Sequence, residues 1–191
     1  MTGVAGPMVR HRPASGMRFL AGLTVGGAAG GMALAVPAYL VGSLLNAALE
    51  ERARLWAFVL VCVVLAAADL ANRTPHVWRQ VPQRLIDALP PGTVGLAWGF
   101  DLGLLFTTQK VTSLIWVAVA AVTLVQPAMV WAVLVGVAVL ASLAVMVGSS
   151  RERTATWLIM KGRRRVPAFR RASAVAIAVL AITSAAQAWQ G

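Results

Sequence analysis

Hydrophobic and polar positions along this chain fall into long blocks, not the short alternations of a soluble fold. Uncharged stretches run over 19–49, 55–68, 111–131 and on to 150, and 172–191. Several exceed the roughly 18 to 20 residues that a spanning helix needs. Two stretches, 17–48 and 93–125, are longer still. As straight helices each would measure about 50 Å, against a hydrocarbon core of about 30 Å. Each is therefore a tilted or broken helix with an overhang, or a pair of short spans.

The same two stretches share a pattern. Gly22-Leu23-x-x-Gly26-x-x-x-Gly30 returns 73 residues later as Gly95-Leu96-x-x-Gly99-x-x-x-Gly103. A second apolar stretch follows each copy, opening Leu55-Trp56-Ala57-Phe58-Val59 and Val130-Trp131-Ala132-Val133-Leu134, and an Arg-rich segment closes each. The pattern predicts an all-α, polytopic membrane protein with a tail over 1–16 and one helical domain over 17–189. Repeat one covers 17–84, repeat two 93–165, and a last helix 172–189. Five spans are expected, over 17–48, 55–72, 93–125, 127–148 and 172–189. Six result if the third stretch is a hairpin turning at Gln109-Lys110.

Composition agrees: 59% of residues are hydrophobic and 12% charged, too apolar for a soluble globule. The net charge of +11 would suit nucleic acid, but its distribution excludes that partner. No aromatic-basic recognition motif accompanies the arginines. In the five-span arrangement one side of the membrane carries 14 basic residues, from Arg10 to Arg171. The other side carries Arg52 and Arg54, offset by Glu50 and Glu51. The positive-inside rule then puts the N-terminus in the cytoplasm and the C-terminus outside, in a cytoplasmic (inner) membrane. Trp56, Trp131 and Trp189 fall at the outer ends of their spans, where indole rings favour the interface. Arg outnumbers Lys by 15 to 2, which fits a high-GC bacterial genome. A signal peptide is the rival account of the N-terminus, with Ala33-Leu34-Ala35 resembling a cleavage site. Its apolar core is normally about 7 to 15 residues, and this run continues past Pro37.

Candidate chemistry concentrates at a few places. Gly22, Gly26 and Gly30 share one helical face, as do Gly95, Gly99 and Gly103, so two backbones can approach closely. Packing of the two long helices within one chain is expected; a homodimer across one such face is the alternative. Pro37 should kink the first long helix. At the matching point the second reads Thr107-Thr108-Gln109-Lys110-Val111-Thr112-Ser113. Asp101 and Lys110 are charges in an apolar stretch, which normally face a protein interior or a wet cavity; otherwise Lys110 snorkels to the interface. Asp69, one turn before Arg73, reads as half of a surface helix pair. Trp157, Lys161, Arg163, Arg164 and Arg165 form a basic loop with an apolar anchor, suited to anionic headgroups or an acidic partner. Cys62 is the only cysteine and reads as a small hydrophobe. No metal, cofactor or catalytic constellation is expected, since His11 and His76 stand apart and nucleophile and P-loop motifs are absent.

Phe19-Leu20-Ala21-Gly22-Leu23, with Val36-Pro37-Ala38-Tyr39-Leu40 after it, resembles the first helix of the CcdA/DsbD-type transmembrane thiol-electron carriers of the LysE-like superfamily. Gly95-Leu96-Ala97-Trp98-Gly99-Phe100 resembles that family's second glycine-rich helix. The resemblance implies a shared architecture. It does not imply the thiol chemistry, because Ala29-Gly30-Gly31 and Leu104-Leu105-Phe106-Thr107 stand where the family places its cysteines. The family also uses inverted three-helix repeats, whereas the span count here gives two parallel repeats and an extra helix.

Broken helices in corresponding halves of a repeat point to a transporter site. The expectation is a small transporter or permease-like protein whose pathway is lined by Asp101, Thr107, Thr108, Gln109, Lys110, Thr112 and Ser113. A non-catalytic membrane subunit or scaffold is the alternative, and a degenerate thiol-redox membrane protein a distant third.

Overall fold

The computed structural model describes residues 12–71, 73, 88–105, 113–150 and 152–190. Every regular element among them is helical: α1 (Pro13–Ala48), α2 (Glu51–Leu70), α3 (Pro91–Gly103), α4 (Leu114–Leu124), a 3₁₀ turn (Pro127–Met129), α5 (Val130–Ser150) and α6 (Glu152–Gln190). Among the described residues, four segments are long and apolar enough to cross a membrane: Pro13–Ala48, Glu51–Leu70, Pro127–Val145 and Pro167–Gln190. Local chemistry marks the helix starts. Pro13 and Pro91 each open a helix, where the missing N–H costs nothing. Glu51 stands in the first turn of α2, facing the positive end of the helix dipole.

The helices depart from the hydropathy blocks at three points. The third stretch is not one helix: α3 ends at Gly103 and α4 begins at Leu114. Pro37 lies inside α1, which runs on through it. The basic segment expected to be a loop is helical, because α6 starts at Glu152 and continues past Pro167 to Gln190. Arg, Lys, Leu, Met and Ala are good helix formers, so the helix extends well beyond the part that hydropathy detects.

Two compact units divide the chain: Met1–Leu34, Val77–Thr108 and Leu134–Arg164 form unit 1; Ala35–His76, Gln109–Val133 and Arg165–Gly191 form unit 2. In unit 1, α1 and α3 pack backbone to backbone. A Cβ at Gly22 would land on the Gly92 carbonyl oxygen and crowd Leu96 N; one at Gly95 would land on the Phe19 carbonyl oxygen and crowd Leu23 N. Gly26 meets Leu96 and Phe100, while Gly99 meets Leu23 and Gly27; Gly30 meets Phe100, while Gly103 meets Gly27. These contacts are reciprocal and ascend together, so the helices run parallel, and each contact maps onto its counterpart by the same 73-residue offset. The second small-residue face of α1 takes α5. There Gly27 opposes Ser142, whose Oγ donates to the Ala138 carbonyl at 3.0 Å, and Gly31 opposes Ala138. Phe19, Leu20, Leu23, Val94 and Trp98 fill the space beside the glycines, with Phe19 and Trp98 edge to face at 6.0 Å.

Unit 2 is built on a stripe of α2. Leu55, Phe58, Cys62, Leu65 and Asp69 are its buried residues, spaced as one helical face. Phe58, Cys62 and Leu65 pack with Val117 of α4 and with Ile177 and Ala181 of α6. Gly42 of α1 brings its backbone close to the Thr123 carbonyl and to Pro127.

Candidate functional site

The apolar stripe of unit 2 ends in a polar cluster. Asp69 is one helical turn beyond Leu65, Ser113 one turn before Val117, and Ser173 one turn before Ile177. All three helices therefore turn a polar side chain onto the face that elsewhere buries hydrocarbon. Asp69 is 2% exposed, and Ser113 and Ser173 are buried with it. The Ser113 N–H donates to both carboxylate oxygens, at 2.9 Å to Oδ2 and 3.1 Å to Oδ1. The Ser113 hydroxyl donates to Oδ1 at 2.7 Å, and the Ser173 hydroxyl donates to Oδ2 at 3.0 Å.

This arrangement corrects the expectation for Asp69. It is no surface helix pair: Arg73 is exposed, while the carboxylate points into unit 2 and ties three helices together. The period of α2 was the available signal, since Asp69 continues the series from Leu55 to Leu65.

Asp69 also caps α4 from outside. Ser113 is the N-cap residue of α4 but makes no side-chain cap bond to its own helix; the Asp69 carboxylate takes its N–H instead. At the other end Arg54 Nη1 donates to the Leu124 carbonyl at 3.3 Å. One helix thus presents an acid to the positive end of α4 and a base to its negative end, which is the stabilising sense for the helix dipole. Asp69 and Arg54 lie about 22 Å apart along α2, enough to bracket the three turns of α4.

The sequence-derived site residues divide between the units. Ser113 belongs to the Asp69 cluster in unit 2. Asp101, in the last turn of α3, belongs to unit 1 and is 5% exposed. Just after α3, the buried Leu105 adopts φ 61°, a left-handed conformation that costs a non-glycine residue about 1 kcal/mol. Thr107, Thr108, Gln109, Lys110 and Thr112 lie outside the described residues. Trp157, Lys161, Arg163, Arg164 and Arg165 sit within α6, with side chains outside the description. Cys62 is a free thiol buried in the apolar core of unit 2. Among the described residues no group of His, Cys, Asp and Glu is placed to hold a metal ion. Sequence reasoning missed Ser173, a serine in an Ala-rich run that carries no signal of its own.

No protein-family model, curated protein or solved structure matches this chain.

Proposed function

We propose that the chain is a small transporter or permease-like protein of five crossings, with a polar site where its third span is interrupted. The carrying observation is a buried ionisable residue in each unit: Asp101 in the last turn of α3, and Asp69 in α2, where it holds Ser113 at the start of α4. Buried ionisable residues within apolar helices mark ion or substrate pathways by default.

The reciprocal glycine contacts support descent of the two halves from one duplicated unit. They also use the glycine faces within the chain, which leaves a homodimer or scaffold little claim on them. Trp56, Trp131 and Trp189 are all substantially exposed in unit 2, as suits an outer interface, with the N-terminus cytoplasmic and the inner membrane as host. The basic stretch that includes Lys161 and Arg163 would then lie against anionic headgroups.

Reconstitution tests the proposal. Proteoliposomes screened for solute-driven current on a solid-supported membrane should give a signal that Asp101→Asn and Ser113→Ala abolish without lowering thermal stability by more than a few degrees. A scaffold would give no current with any solute, and both variants would be silent.

A further inference from the structure

Three described helices, α1, α5 and α6, belong to both units. α1 passes from unit 1 to unit 2 between Leu34 and Ala35, and α6 between Arg164 and Arg165. Each of these two carries an internal proline within three residues of the passage, Pro37 in α1 and Pro167 in α6. α5 crosses after its first four residues, directly behind the 3₁₀ turn that opens with Pro127. α2, α3 and α4 each lie within one unit, and none has a proline beyond its first turn. Helix-weakening residues thus gather where helices pass between the units and are missing where they do not.

α1 is also clamped on both sides of Pro37. Toward its N-terminus, Gly22 to Gly31 seat its backbone on α3 and α5; toward its C-terminus, Gly42 seats it against the Thr123 carbonyl and Pro127. Pro37 itself is exposed, so core packing does not require its ring. Its missing N–H leaves the Ala33 carbonyl without the usual i→i−4 partner, and the ring crowds that carbonyl. Sharp bends in helices form almost always at sites of this kind. We infer that α1 is jointed at Pro37, so that the part clamped into unit 1 and the part clamped into unit 2 bend relative to each other. Pro167 is the matching joint of α6. A few weak positions between firmly packed segments let those segments move without repacking their cores. The joint is a property of the helices and holds whether or not the chain moves a solute.

Spin-label distances test it on full-length protein in lipid nanodiscs, with Cys62 replaced by Ala. At about 100° per residue, Ala21 and Asn46 stand on the face of α1 opposite Pro37, and both are exposed. Nitroxides there, on Ala21→Cys and Asn46→Cys, draw together when the helix bends away from its proline. A swing of about 20° shifts their separation by about 3 Å. Arg52→Cys with Leu70→Cys gives the reference, since both residues are exposed, share one face of α2 and span a helix without proline. The α1 distribution should be broader than the reference by about that 3 Å, and Pro37→Ala should narrow it to the reference width. Because Pro37 is exposed and Ala is the better helix former, this variant should fold at least as stably as its parent. Equal widths for the two helices, or a broad α1 distribution that Pro37→Ala leaves unchanged, would overturn the inference.

Discussion

Asp69 shows how one side chain changes its meaning with its surroundings. Three donors converge on a carboxylate that hydropathy places at the edge of a span. Replacing it by Asn exchanges an anionic acceptor for an amide that offers its own N–H groups to those donors. Asp69→Asn should therefore lose about 1 to 3 kcal/mol in SDS-induced unfolding, and a double-mutant cycle with Ser113→Ala should show coupling of about 0.6 to 1.7 kcal/mol, the range of polar pairs between membrane helices. Additivity of the two changes would mean that the carboxylate and the serine do not act together. The helical period of α2 made the burial of Asp69 legible. Its partners were not, because Ser113 and Ser173 lie 44 and 104 positions away in the chain, and nothing in a serine's neighbours says which helix it will face.

At the scale of elements, glycine spacing was the most legible feature, since residues four apart share a helical face whatever the fold does. Even so, position alone does not give a glycine its role. A Cβ at Gly99 would collide with the Leu23 carbonyl, whereas a Cβ at Gly136 of α5 would meet nothing within 4 Å. Gly99→Ala should thus cost at least about 1 to 3 kcal/mol through overpacking, while Gly136→Ala should gain about 0.5 to 1 kcal/mol from helix propensity; unfolding of the two variants side by side checks the contrast. The bracketing of α4 makes a further prediction. Hydrogen exchange of the amides at 114–117 should quicken in Asp69→Asn and that at 121–124 stay slow, with the asymmetry reversed in Arg54→Met. The break between α3 and α4 was legible as six polar residues in a run of seven. The helical nature of the basic part of α6 was not, because hydropathy separates apolar from charged residues and is blind to the helix propensity that Arg and Lys share with Leu.

For the whole molecule, the distribution of charge fixes an expectation about sidedness. With Cys62 replaced by Ala, single cysteines at Arg79 and Arg163 should resist a membrane-impermeant maleimide added to intact cells, and one at Glu51 should react; the opposite pattern would invert the topology. The reciprocal packing of α1 on α3 has a consequence in time. A ribosome adding about 5 to 20 residues per second completes the glycine face of α3 some 4 to 15 s after its copy in α1, 73 residues earlier. During that interval the first glycine face is inserted without its mate, and a neighbouring nascent chain presents the same face. Tethering favours the later, internal mate through its local concentration. Crowded polysomes therefore set a race between cis and trans pairing, and slow codons between the two copies would lengthen the window in which the wrong partner wins.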